Sequence, residues 1–189
     1  MNTRQTLVVI GVSTGGVEAL RTIISGLRPD FALPVAIVIH LPADADSTLP
    51  DILNTLTPLA VKEAEDKEDL LTGTVYLAPP DYHLLVEADG SLSLSVEEKV
   101  NFSRPSVDVL FETAADAFGA RVIGIILTGA SCDGARGLAR IKRCGGLAVV
   151  QDPQTAKSPA MPQAALAATA VDHVLTLSDI APFLNNLIE

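Results

Sequence analysis

The stretch Leu7-Val8-Val9-Ile10-Gly11-Val12-Ser13-Thr14-Gly15-Gly16 constrains this chain more than any other. A continuous apolar run enters a glycine-rich corner, after which Val17, Leu20, Ile23, Ile24 and Leu27 recur at helical spacing. The pattern predicts a buried strand, a sharp turn and an amphipathic helix. The corner carries the G-x-S-x-G spacing of a nucleophile elbow, in which small residues let the chain turn hard and present one hydroxyl. The helix N-terminus behind it offers free backbone N–H groups to a developing oxyanion. A phosphate-binding loop would require a lysine after Gly16, and a dinucleotide fingerprint would require glycine at Ser13. Neither is present, and a turn without chemistry remains the plain alternative.

Bulk properties narrow the classes further. The 189 residues suffice for one domain with a sizeable core. Apolar residues make up 48% and charged residues 19%, the balance of a globular rather than a disordered protein. A net charge of −10 supplies no basic stripe, so neither nucleic acid nor an anionic membrane surface is expected as a partner. No apolar run is long enough for a membrane span, no signal-peptide pattern opens the chain, and a cytoplasmic location is expected. Cys132 and Cys144 flank a helical pattern and should lie roughly 18 Å apart at its rise per residue, too far for a disulfide.

Two more buried strands follow, each ending in a polar candidate. Pro34-Val35-Ala36-Ile37-Val38-Ile39 leads into His40, at the strand end where open α/β sheets place their ligands. A helix carrying Leu49, Ile52, Leu53 and Leu56 should follow, capped by Asp46 or Ser47. The acidic run over residues 61–69 reads as a solvated loop or edge. After a short strand at residues 74–78, residues 83–86 and 91–96 alternate around Ala88-Asp89-Gly90, a hairpin signal. His83 is expected to support the site rather than act in it. Pro105 should open a helix whose apolar face is Val107, Leu110, Phe111, Ala114, Ala115 and Phe118. The third strand, residues 122–127, enters Thr128-Gly129-Ala130-Ser131-Cys132-Asp133-Gly134, where Asp133 could also cap the next helix. Cys132 as nucleophile has no second motif behind it. A fourth strand at residues 147–151, an alanine-rich helix, a short last strand at Val174-Leu175 and a closing helix capped by Ser178 complete the chain. The alternation predicts a doubly wound, mainly parallel sheet with helices on both faces and an inserted antiparallel hairpin.

Ser13, His40 and Asp133 each follow a buried strand, and parallel strands share one carboxyl edge. A hydroxyl, an imidazole and a carboxylate can therefore meet there, although the order Ser–His–Asp differs from that of α/β-hydrolases.

Several blocks in fixed order resemble the catalytic domain of the CheB family of chemotaxis protein-glutamate methylesterases. They are Gly11-Val12-Ser13-Thr14-Gly15-Gly16, His40-Leu41-Pro42, Val61-Lys62-Glu63-Ala64-Glu65-Asp66, and Tyr76-Leu77-Ala78-Pro79 with Asp81 and His83. Arg104-Pro105-Ser106-Val107-Asp108-Val109-Leu110-Phe111, Ile126-Leu127-Thr128-Gly129, Asp133-Gly134 and Met161-Pro162 complete the likeness. The resemblance implies hydrolysis of glutamate methyl esters on the cytoplasmic helices of a methylated chemoreceptor, with release of methanol, and deamidation of receptor glutamines. It implies Ser13 as nucleophile, His40 as base and Asp133 as its orienting partner. Oxyanion donors would be backbone N–H groups of Thr14, Gly129 and Ala130. No cofactor and no metal are implied.

The likeness has departures. The family's G-M-G-x-D-G loop here reads Gly129-Ala130-Ser131-Cys132-Asp133-Gly134, and the residue before the histidine is Ile39 rather than glutamine. Family members usually carry an N-terminal receiver domain. The first strand here begins at Leu7, so a single catalytic domain without a receiver is expected, either stand-alone or excised. A non-catalytic binding module of the same fold is the alternative reading.

Overall fold

The computed structural model describes residues 6–42 and 48–187. In chain order the first half comprises β1 (Leu7–Val12), α1 (Gly16–Gly26), β2 (Val35–Ile39), α2 (Leu49–Asn54), β3 (Ala60–Glu63), β4 (Thr74–Leu77), β5 (His83–Val86) and β6 (Leu92–Ser95). The second half comprises α3 (Val107–Phe118), a 3-10 turn at Gly119–Arg121, β7 (Val122–Ile126), α4 (Ala135–Arg143), β8 (Leu147–Gln151), α5 (Ala160–Ala168), β9 (His173–Leu175) and α6 (Leu177–Asn186).

Seven strands form one sheet in the order β3-β4-β2-β1-β7-β8-β9, every neighbouring pair parallel. Crossovers proceed from β1 in both directions, which makes the fold doubly wound. The expected hairpin is β5–β6, antiparallel and outside the main sheet. The acidic run starts within edge strand β3, where the half-buried charges of Lys62 and Glu63 suit an edge that must not pair further.

Residues alternate between two cores because successive strand side chains point to opposite faces. Val8, Ile10 and Val12 of β1 join α1, α2 and α6 in one core, with Leu20, Ile23 and Ile24 from α1. Leu7 and Val9 face the other, built from α3, α4, α5 and the hairpin. Burial on both faces explains why the strands read as continuous apolar runs. Val17, expected on the apolar face of α1, is 37% exposed; the contact of the first turn with β1 and β2 is made instead by buried Gly16, which lies against Val12 and Ile39. Helix α3 begins at Val107 with Ser106 as its N-cap, so Pro105 lies ahead of the helix rather than opening it. The cap of α6 is Thr176, two residues before Ser178. The cap expected at Asp46 or Ser47 lies outside the described residues. Cys132 and Cys144 are free thiols at the two ends of α4. Among the described residues, no helix is long and apolar enough to cross a membrane.

Candidate active site

The sheet brings Ser13, His40 and the loop after β7 to one edge. Val12 is in register with Ile39, and the His40 N–H donates to the Val12 carbonyl at 3.1 Å. On the other side of β1, the Ser13 N–H donates to the Thr128 carbonyl at 3.0 Å. Ser13 and His40 thus end adjacent parallel strands, which run about 4.8 Å apart.

The elbow depends on two glycines. Gly15 has φ +84°, a left-handed conformation that suits a residue without a Cβ, and the Gly16 N–H closes the turn on the Ser13 carbonyl at 2.8 Å. Gly11 lies against α3: a Cβ there would stand 2.2 Å from Val107 Cγ1. The loop after β8 supports the elbow from outside. Thr128 Oγ1 donates to the Thr14 carbonyl at 2.8 Å and accepts the Ser158 N–H at 2.9 Å.

Asp133 is the most heavily bonded side chain of the site, and its side chain is 0% exposed. Oδ2 accepts from His40 Nε2 at 2.8 Å and from the Val107 N–H at 2.6 Å. Oδ1 accepts from Asn101 Nδ2 at 2.8 Å, Ser106 Oγ at 2.8 Å and the Asp108 N–H at 3.1 Å. Burial alone would push this carboxyl up, but the donors from His40, Asn101, Val107 and Ser106 outweigh it and hold the pKa below an ordinary aspartate's. Asp133 therefore does not cap its own helix, α4, whose N-cap is Gly134; it caps the first turn of α3. An ionised carboxylate facing Nε2 fixes the proton on that nitrogen and leaves Nδ1 of His40 as the basic one.

A second buried carboxylate mirrors the first. Asp108 Oδ1, on α3, accepts the N–H groups of Gly134 and Gly137 at 3.0 and 2.7 Å. Asn101 joins the pair: its amide gives its other hydrogen to Asp108 Oδ2 at 2.8 Å. Desolvation raises the Asp108 pKa; the Gly137 N–H opposes this and the nearby Asp133 charge adds to it. His83 has the supporting place expected of it. Its Nδ1 accepts the Ser106 N–H at 3.2 Å, and its Nε2 meets the Glu98 carbonyl at 3.0 Å.

Of the proposed oxyanion donors, Gly129 is corrected. Its N–H is already given to the Ser158 carbonyl at 3.0 Å, and a Cβ there would strike Met161 Sδ and Ser13 Cβ. The N–H groups of Thr14 and Ala130 make no hydrogen bond among the described residues. Sequence reasoning assigned no role to Asn101, Ser106, Asp108, Thr128 or Ser158. The Arg104-Pro105-Ser106-Val107-Asp108 block was the available signal for two of them. Among the described residues, no group of three or more His, Cys, Asp and Glu side chains is placed to hold a metal ion.

Beside His40 lies a cleft of about 190 Å³ lined by Leu41, Pro42, Lys99, Phe102 and Pro105, with the Asp81–Arg104 ion pair in its wall. A doubly wound sheet with an elbow serine, an imidazole and a buried carboxylate on one rim belongs to the α/β esterase class. The comparisons with known proteins refine this. The CheB methylesterase family model matches residues 8–184. A Leptospira interrogans relative named for protein-glutamate methylesterase and protein-glutamine glutaminase is 53% identical over 174 residues, covering 92% of this chain and 90% of its own. A Caulobacter vibrioides protein-glutamate methylesterase/protein-glutamine glutaminase is 39% identical over 94% of this chain, which spans only 52% of that protein. The crystal structure of the Thermotoga maritima CheB methylesterase catalytic domain superposes with a TM-score of 0.92 at 36% identity, covering 97% of this chain and 98% of that one. The chain belongs to the CheB methylesterase family.

Proposed function

We propose that this chain removes methyl groups from glutamyl esters of a chemoreceptor's cytoplasmic helices, with Ser13 as nucleophile, His40 as base and Asp133 as its orienting partner. The observation that carries the reading is the 2.8 Å contact between Asp133 and His40 Nε2, on a histidine that ends the strand beside Ser13. Ser13 Oγ attacks the ester carbonyl while His40 Nδ1 takes its proton. Asp133 stabilises the imidazolium. The N–H groups of Thr14 and Ala130 face the oxyanion. His40 returns the proton to the departing methoxide, methanol leaves, and an acyl-serine remains. Water, deprotonated by His40, then attacks the acyl carbon and releases glutamate and free Ser13. Receptor glutamines follow the same route with ammonia as leaving group. The substrate helices place the reaction in the cytoplasm.

Methanol release from methylated receptor tests this, comparing wild type with Ser13→Ala. Loss of methanol release in the variant, with thermal unfolding unchanged and labelling by a serine-reactive phosphonate abolished, is the expected result. Retained turnover in Ser13→Ala refutes the assignment. A wild type that binds receptor without releasing methanol would instead be the non-catalytic module.

A further inference from the structure

Phe102 is 99% exposed, the most exposed large apolar side chain among the described residues. Its backbone is also unfavourable, with φ +63° following φ +52° at Asn101. Bulky residues rarely occupy this region, which asparagine and glycine enter more readily. The turn is clamped by paired hydrogen bonds between Val100 and Ser103, at 3.1 and 2.9 Å. An aromatic ring fully in water adds nothing to the core, so folding does not account for Phe102 at this position.

Its surroundings point to a use. Phe102 lines the cleft beside His40. Arg104, in the cleft wall, ties down two segments that carry further exposed apolar residues: it pairs with Asp81, next in sequence to Tyr82, and donates to the backbone carbonyl of Val96 at 2.7 Å. The one lysine lining this cleft, Lys99, is also exposed. The chain carries −10, and its substrate gains a carboxylate at every turnover. A net charge of −10 gives this chain no long-range attraction for a carboxylate-bearing segment, so affinity there rests on local contact.

We infer that the lip formed by Phe102, Tyr82 and Val96 is the docking surface for the receptor helix. Phe102 packs on an apolar residue about one turn from the glutamyl ester, and Lys99 meets a neighbouring carboxylate. Residues one turn apart share a helix face, so one approach seats the ester at Ser13 and the apolar neighbour at Phe102. Aromatic side chains at the centre of an interface commonly dominate its affinity.

The inference rests on the esterase reading, and the test separates the two. Phe102→Asn removes the ring while suiting the left-handed backbone, so its melting temperature should equal or exceed that of wild type. Its KM for methylated receptor should rise about tenfold, with kcat within about twofold. The rate of phosphonate labelling at Ser13 should be unchanged, and Phe102→Tyr should restore KM. An unchanged KM in Phe102→Asn overturns the docking surface and leaves the esterase reading intact. Slower phosphonate labelling in Phe102→Asn also overturns it, because the ring would then act through the shape of the site. Absence of methanol from the wild type overturns both.

Discussion

Asp133 and Asp108 each seat the first turn of the other's helix. Asp133, just ahead of α4, accepts the N–H groups of Val107 and Asp108 on α3, while Asp108 accepts those of Gly134, the N-cap of α4, and of Gly137 in its first turn. Helix N-termini favour negative charge, so each carboxylate sits in the field of the opposite helix. The Asn101 amide lies between them and gives one hydrogen to each. The group that orients His40 is thereby fixed by two helices at once.

Replacing that group should damage activity and stability together. Asp133→Asn keeps one acceptor oxygen but turns an NH2 toward donors. A kcat loss of about ten-thousand-fold is expected, as for other orienting carboxylates exchanged for amides. Stability should fall by roughly 2–3 kcal/mol, since donors at a fully buried position lose their acceptor. Steady-state methanol release and urea unfolding measure the two effects.

Acid titration should tell the two carboxylates apart. Asp133 lies below its ordinary value of 3.8, so its contribution to stability is complete above 3.8 and is lost as pH falls from there through the folded-state value. Asp108 lies above 3.8, so the folded state holds its proton more tightly and stability falls as pH rises from 3.8 through the raised value. Melting temperatures between about pH 2.5 and 7 should show a shallower acid-side fall in Asp133→Asn than in wild type. Asp108→Asn should remove the opposing trend above 3.8. Parallel curves for all three proteins would contradict both assignments.

The contact between Gly11 and Val107 should be visible as a rescue. Gly11→Ala places a methyl group 2.2 Å from Val107 Cγ1, at the residue whose N–H bonds Asp133. Overpacking of this kind costs about 1–3 kcal/mol, or a melting shift of roughly 4–8 °C for 2 kcal/mol in a chain of this size. Gly11→Ala combined with Val107→Ala should recover most of that loss and of the accompanying drop in methanol release. A Gly11→Ala protein that melts with wild type would show that β1 and α3 are not held in this contact.

Much of the fold could be read from the chain because its strands are buried on both faces. Such strands appear as unbroken apolar runs, and glycine marked the corner after β1. Ser13, His40 and the Asp133 loop were identifiable as strand ends for the same reason. The bonding of Asp133 was not, because its acceptors serve α3, 25 or more residues away, and no local pattern encodes a cap supplied from another loop. Asn101 lies in a polar turn without periodicity. Gly129 was misread as a free donor because its N–H is taken by Ser158, on a loop that the sequence marks only by its prolines. Val17 fits the helical spacing, but in the first turn the sheet is met by Gly16, which has no side chain for a periodicity to register.

β1, at the middle of the sheet, is synthesised before the sheet's other strands, yet one of its edges waits for β7, the fifth of the sheet's seven strands to be made. A nascent polypeptide therefore carries Ser13 long before it has the strand that completes the crevice or the Asp133 carboxylate that bonds His40. The hydrogen bond between His40 and Asp133 is consequently possible only once residue 133 has been made, and until then an open apolar strand edge is what a chaperone would meet.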